Sequence, residues 1–182
     1  LRYTLDPQTK LNLVGGFPVA QTRDLFIKES THFYGTSIDL GPYYKHWDGN
    51  LFVINQETDG LTDRRGVGGE LRYFDDHRTA LTLIDYDVFF EDLNTALFSG
   101  TWIFPNQATA TLAADYRRSP VLSINDALIG QSANAVSDLL GTFTADELRQ
   151  LALDRSTISK SVTVGGSYPV NKTFQVSGDV TA

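Results

Sequence analysis

Residues 80–118 carry the pattern that most constrains the fold: three consecutive stretches of alternating apolar and polar residues, separated by very tight turns. Alternation with a period of two puts successive side chains on opposite faces of a β-strand. Each stretch has roughly ten residues, the length with which a tilted strand crosses a bilayer. One face is apolar with aromatic residues towards its ends, and the other is polar and charged. This pattern is typical of a transmembrane β-barrel wall, with lipid outside and a wet lumen inside.

The alternation assigns individual side chains to the two faces. The residues predicted to face lipid are Ile84, Tyr86, Val88, Phe90, Phe98, Trp102, Leu112 and Tyr116. The charged residues predicted to face the lumen are Glu70, Arg72, Asp85, Asp87, Asp115 and Arg117. Asp85 and Asp87 share one strand face, an arrangement that also suits acid–base catalysis or cation binding. We favour the lumen lining, because opposite charges across a sheet face satisfy each other and tune solute selectivity in a wide barrel.

Bulk composition excludes several classes of protein. The 182 residues suffice for one sizeable domain, and the net charge of −7 argues against a nucleic-acid-binding surface. Hydrophobic residues make up 41% of the sequence, and no apolar run approaches the ~18 residues of a membrane helix. Membrane barrels are not excluded by this, because their strands are apolar on one face only. The absence of cysteine excludes disulfide scaffolds and thiolate metal sites.

The chain is predicted to be all-β, an antiparallel up-and-down segment of about ten strands within a single β-barrel domain over residues 1–182. The predicted strands are residues 1–6, 10–20, 31–40, 50–57, 66–75, 79–91, 95–104, 108–118, 158–168 and 172–182. Turn-forming residues separate them. Both ends of the chain lie inside alternating stretches and methionine is absent, so we expect a fragment of a larger barrel.

The connections between these strands fall into two sets on alternating sides of a meander. One set has mostly about three residues in each connection: residues 7–9, 41–49, 76–78, 105–107 and 169–171. The other set includes the long connections and comprises residues 21–30, 58–65, 92–94 and 119–157. Outer-membrane barrels have short periplasmic turns and longer extracellular loops, and the asymmetry fits that arrangement.

Residues 119–157 interrupt the strand pattern. Residues 134–140 have helical spacing and end at Gly141, and the capping box from Thr144 to Glu147 opens a second short helix that runs to about Leu153. A loop of this length with its own helices is usually functional, for example as a lid or plug. A surface excursion without a function is the other interpretation, and the sequence does not choose between them.

Other candidate chemistry is weaker. The three histidines, His32, His46 and His77, form no metal-binding spacing. His32 could pair with a serine, as in outer-membrane lipases, but no GxSxG motif is present. Residues 63–65, Asp-Arg-Arg, are too short for a nucleic-acid patch and are predicted to be a turn with solvated charges. We therefore predict no enzyme activity, no metal and no cofactor.

Aromatic residues fall mostly near the predicted strand ends, as expected of the girdles at membrane interfaces. They are Tyr43, Tyr44, Trp47, Tyr73, Phe74, Phe89, Phe90, Trp102 and Phe104. A soluble β-sandwich, whose core takes aromatic residues anywhere, is the alternative interpretation.

Three segments, residues 65–74, 83–88 and 115–122, and the residues 125–128 that follow, carry a resemblance. They resemble the C-terminal β-barrel region of large proteobacterial outer-membrane proteins, in which a periplasmic tetratricopeptide-type region precedes the barrel. The resemblance covers about residues 11–130. It implies a location in the outer membrane of a Gram-negative bacterium and implies no defined substrate. No tetratricopeptide repeat is visible, so that region would lie outside this sequence.

Two hypotheses follow from these patterns. The first is an outer-membrane β-barrel segment that forms a pore, of porin type, or an export conduit for transport. Its partners would be the lipid bilayer and either other subunits or a periplasmic region of the same protein, with no nucleic acid. The second is a soluble secreted all-β module that binds a ligand or partner, with its apolar strand faces buried.

Overall fold

The computed structural model describes residues 1–21, 25–27 and 30–182. The strands of the main sheet are β1 (Arg2–Asp6), β2 (Thr9–Gly16), β5 (Thr31–Tyr43), β6 (Trp47–Thr58), β7 (Leu61–Phe74), β8 (Arg78–Asp87), β9 (Asp92–Ile103), β10 (Thr109–Ser119), β11 (Thr157–Pro169) and β12 (Gln175–Thr181). The short strands β3 (Val19–Gln21) and β4 (Leu25–Ile27) pair separately. The all-β prediction is confirmed.

The main sheet is one antiparallel meander of ten strands in the order β1-β2-β5-β6-β7-β8-β9-β10-β11-β12. Each strand of the sheet pairs with its neighbour along the chain, apart from the β3–β4 hairpin inserted between β2 and β5. Within the described residues β1 and β12 are the two edges, so the sheet is open. The ten predicted strands all occur, and the up-and-down connectivity is confirmed.

Connections alternate between the two ends of the sheet. We call the end that holds the turn at residues 75–77 the turn end, and the end that holds residues 120–156 the loop end. All connections at the turn end are short. The predicted long loop at residues 58–65 is wrong, because β6 and β7 are joined by a two-residue turn at Asp59 and Gly60, both with positive φ. Part of the predicted connection at residues 21–30 lies outside the described residues.

Residues 120–156, which we call the cap, contain three helices. A 3₁₀ helix spans Ile124–Leu128, α1 spans Val136–Leu139 and α2 spans Ala145–Arg155. Thr144 caps α2 by accepting from the Glu147 amide, while the Glu147 carboxylate accepts from the Thr144 amide, so the predicted capping box is confirmed. The predicted helices α1 and α2 both form. In the described part of the chain, no helix is both long enough and apolar enough to cross a membrane.

The hydrophobic core lies in the cap and not on the sheet. Its fully buried members are Phe90, Leu122, Ile124, Ala127, Val136, Leu139, Leu148 and Ala152. Phe90 and its neighbour Phe89 come from the turn between β8 and β9, and the other buried members come from the cap. The cap therefore has a small hydrophobic core, to which the loop end of the sheet contributes Phe90.

Candidate functional site

Strand register divides the sheet into an apolar face and a polar face. Residues paired across an antiparallel ladder project to the same side, and alternate residues along each strand share that side. Ile84 of β8 lies opposite Gly69 of β7 and Ala96 of β9, whereas Asp85 lies opposite Gly68 and Thr95. The faces defined by these two residues extend over the whole sheet.

The apolar face carries small, aliphatic and aromatic residues from every long strand. Its members include Leu13, Ile38, Leu51, Val53, Val67, Leu71, Ile84, Phe98, Leu112, Val162 and Val164. Many are about half exposed: Ile84 is 49% exposed, Leu51 59% and Val164 57%. No element in the described part of the chain packs over this face, since the residues of the buried core come from the cap and from the turn between β8 and β9.

Two rows of aromatic residues border the apolar face. Tyr43, Trp47, Tyr73, Trp102 and Tyr168 lie at the turn end, and Tyr34, Tyr86 and Tyr116 lie at the loop end. Between the rows, β5 to β11 place no charged side chain on this face. The charges that share it lie at its borders. A band free of charge between aromatic borders is the composition of a lipid-contacting barrel surface.

Arg78 and Lys160 mark the two borders of the band. Arg78, at the turn end, lies over the rings of Tyr73 and Trp102, 5.6 and 5.5 Å from their centroids. Lys160, at the loop end, lies 5.5 Å from the centroid of Tyr116. Cations over aromatic rings keep their charge near water while their stems cover apolar surface.

The turn that carries Arg78 is organised around Asp75. This carboxylate accepts hydrogen bonds from the Tyr73 hydroxyl at 2.5 Å, from the His77 amide at 2.8 Å and from the Arg78 guanidinium at 2.7 Å. The Tyr73 hydroxyl, followed by the His77 amide, holds the pKa of Asp75 well below its usual range. The aromatic border at the turn end is therefore fixed by a charged hydrogen-bonded turn just outside it.

The six residues predicted to line a lumen all lie on the polar face, but in three separate clusters. Arg72 pairs with Asp48 and Glu70, 2.5 and 3.1 Å from its Nε. Arg117 pairs with Asp115 on its own strand. Asp85 and Asp87 pair with Arg64, not with Arg72. The predicted compensation of charge is present, although mostly within one strand or between neighbouring strands.

Most of the residues predicted to face lipid lie on the apolar face as expected: Ile84, Tyr86, Phe98, Trp102, Leu112 and Tyr116. Val88 follows the last residue of β8 and is 52% exposed. The prediction that Phe90 faces lipid is wrong. Strand β8 ends at Asp87, and Phe90 lies in the following turn, where it is 3% exposed and packs in the core of the cap. The strand predicted for residues 79–91 is thus too long.

The cap covers the polar face at the loop end. The polar side chains that become buried there come from five neighbouring strands: Thr31, Thr58, Asp63, Asp87 and Asn94. Asp87, predicted to face a wet lumen, is 0% exposed. It accepts hydrogen bonds from the amides of Phe89 and Phe90, at 2.9 and 3.0 Å. Asp87 therefore shapes the turn that inserts Phe90 into the cap.

Asp63 is the main polar connection between the cap and the sheet. It is 0% exposed and accepts from the Ser123 hydroxyl at 2.5 Å and from the Ile124 amide at 2.7 Å. Thr58 and Gln56 of β6 donate to its other oxygen, at 2.9 and 2.5 Å. The prediction that residues 63–65 form a solvated turn is therefore wrong, because they lie within β7 and Asp63 is buried.

Further contacts hold the cap at its margins. The Leu122 amide donates to Asn94 at 3.3 Å, and Asn94 in turn donates to Asp85 at 2.8 Å. Arg149 of α2 donates to the Phe89 carbonyl at 2.9 Å. Residues 120–156 are thus attached through β6, β7 and β9 and through the turn between β8 and β9, and they are not a detached surface loop.

The histidines lie apart from one another. His32 lies 3.3 Å from Glu57, His46 lies 3.0 Å from the Phe74 carbonyl, and the His77 amide belongs to the Asp75 turn. Among the residues that the structure describes, no cluster of histidine and carboxylate side chains has the arrangement of a metal site. No family model, curated protein or solved structure matches the chain.

Proposed function

We propose that this chain forms part of the wall of a bacterial outer-membrane β-barrel, which serves as a pore or export conduit. The apolar face contacts lipid and the polar face lines a water-filled lumen. The observation that carries this proposal is the apolar band: ten strands share it, no charged side chain lies between its aromatic borders on β5 to β11, and nothing in the described chain covers it.

Dimensions agree with a bilayer. The central strands β5 to β11 have between 10 and 14 residues. At ~3.3 Å per residue and a tilt near 45°, ten residues rise about 23 Å, close to the ~25 Å height of the apolar band of a membrane barrel. In water, by contrast, soluble monomers rarely expose apolar patches larger than a few hundred Å².

The polar face suits a lumen. Its arginines are paired with carboxylates, as in the Asp48–Arg72–Glu70 cluster, and its hydroxyls pair across strands, as Thr109 with Ser167 at 2.7 Å. Such a surface is stable in contact with water and costly in contact with lipid. Closure of the barrel requires β1 and β12 to pair with each other, with further strands or with another subunit.

The two native tryptophans provide the test. Trp47 and Trp102 both lie in the aromatic border at the turn end, where they are 41% and 51% exposed. In vesicles of brominated phosphatidylcholine we expect their fluorescence to be quenched, and more strongly by bromine near the headgroups than by bromine at the bilayer centre. Quenching should persist after high-salt and alkaline washes. A chain that stays monodisperse without detergent and shows no quenching is instead the soluble partner-binding module.

A further inference from the structure

We infer that residues 120–156 are a gate that closes the lumen at the loop end and is held shut by Asp63. This inference rests on the proposed conduit. Its geometric basis is that the cap lies on the polar face, the side of the sheet that would enclose the lumen, and not on the outside. Of the five buried polar residues of the sheet, Thr58, Asp63 and Asn94 hydrogen-bond to the cap directly, and Asp87 accepts from the amide of Phe90, which packs in its core.

The attachment of the cap is suited to opening. Its apolar core draws seven of its eight buried members from the cap itself and only Phe90 from the sheet's turns. The helices can therefore keep their mutual packing when the cap moves away. Opening separates Phe90, Phe89 and Leu61 from this core. The polar contacts that it breaks are concentrated on Asp63, which binds both Ser123 and Ile124.

Asp63 also has partners that remain when the cap leaves. The Gln56 and Thr58 side chains of β6 donate to its second oxygen at 2.5 and 2.9 Å. Water entering the lumen can replace Ser123 and Ile124 on its first oxygen and Asn125 of the cap on its second. The Asp63 carboxylate therefore keeps hydrogen-bond partners whether the cap is closed or open, which makes its contact with the cap reversible.

The first test compares two charge-neutralising variants in planar bilayers. Asp63→Asn keeps the shape of the side chain but cannot accept all of these hydrogen bonds, so we expect its conductance at least about tenfold above that of the wild type. Asp179→Asn is the matched control. Asp179 lies on β12, on the same polar face of the sheet as Asp63, but it is exposed and does not contact the cap. It changes the lumen charge equally and should conduct as the wild type does.

The second test locks the cap reversibly. The chain has no native cysteine, so Asp63→Cys with Ser123→Cys introduces a single pair of thiols where the two side chains are in contact. The oxidised variant should be closed and the reduced variant, which has lost the Asp63 contact, should conduct. Failure of the thiols to cross-link contradicts the contact itself.

The outcomes separate the gate from the conduit. Equal conductance of the wild type, Asp63→Asn and both redox states of the double variant overturns the gate and leaves the conduit intact. Insertion into vesicles, shown by tryptophan quenching, without conductance in any variant overturns the conduit and the gate together.

Discussion

The carboxylate of Asp63 on β7 accepts a 2.7 Å hydrogen bond from the amide of Ile124, 61 residues further along the chain. Ile124 opens the 3₁₀ helix of the cap, and the amides at the start of a helix have no partner within the helix. The carboxylate therefore supplies an acceptor that the helix lacks, and the helix supplies a donor to a carboxylate buried away from water. Loss of either partner leaves a buried polar group unsatisfied.

Asp63→Asn should loosen the cap without unfolding the sheet. The asparagine amide group cannot accept all the hydrogen bonds that the Asp63 carboxylate accepts, so we expect the attachment of the cap to lose roughly 2–4 kcal/mol of free energy. Hydrogen exchange of the α2 amides should accelerate, while exchange in β8 to β10 stays unchanged. Unchanged α2 protection would show that Asp63 does not hold the cap.

Leu148→Ala should destabilise the core of the cap. Leu148 of α2 is 0% exposed, and truncation of such a leucine costs about 2–5 kcal/mol. Leu140→Ala is the matched control, because Leu140 is 44% exposed and should change stability by less than about 1 kcal/mol. Hydrogen exchange of the cap amides measures the stability of both variants. Similar losses of protection in the two would show that Leu148 is not part of a packed core in the cap.

The stability of the cap should depend on pH through Asp126. Burial, together with the nearby Asp63 carboxylate, raises the pKa of Asp126 from 3.8 to about 6, while the Ser123 amide opposes the shift. Because the folded cap favours the protonated form, this stabilisation is present below pH 3.8 and is lost as the pH rises through about 6. The shift corresponds to roughly 3 kcal/mol.

Asp126→Asn isolates that effect. The variant should have a more stable cap than the wild type at pH 7 and should lose the component of pH dependence between about pH 4 and 6. Hydrogen exchange of the cap amides, corrected for intrinsic rates, gives the difference between the two proteins at each pH. A difference that stays constant from pH 4 to 7 would show that Asp126 titrates normally.

Gly68→Ala should strain the sheet. A Cβ at Gly68 would lie 2.6 Å from the Phe52 ring and closer still to the carbonyl oxygen of Ile84, so the backbone has to shift. We expect a loss of about 1–3 kcal/mol, measured by urea unfolding in detergent with tryptophan fluorescence. Gly178→Ala is the control, because a Cβ there meets nothing within 4 Å. Equal midpoints for both variants would contradict the tight packing at Gly68.

Periodicity predicted the sheet well because each long strand has different environments on its two faces. A shift by one residue would place Asp85 on the apolar face and Ile84 on the polar face, so the pattern itself determines the register. The capping box at Thr144 likewise placed α2, because its two reciprocal hydrogen bonds are local.

The attachment of the cap was harder to predict because it depends on contacts between distant residues. Two local signals were nevertheless available. Asp59-Gly60 between alternating stretches is a strong two-residue hairpin signal, and it would have placed Asp63 in a strand. Ser123 followed by Asp126 is a capping box that marks the 3₁₀ helix. The burial of Phe90 had no such signal, since it continues the alternation of β8 beyond the end of that strand.

If the sheet spans a membrane as proposed, Ile84 and Val164 face lipid, while their neighbours Leu83 and Thr163 face a lumen. The most direct measurement is spin labelling of single cysteines at these four positions in vesicles, with collision rates for oxygen and for a water-soluble nickel complex. We predict that oxygen dominates at residues 84 and 164 and nickel at residues 83 and 163. Equal accessibility at all four positions, or nickel dominating at residues 84 and 164, would contradict a membrane-spanning wall.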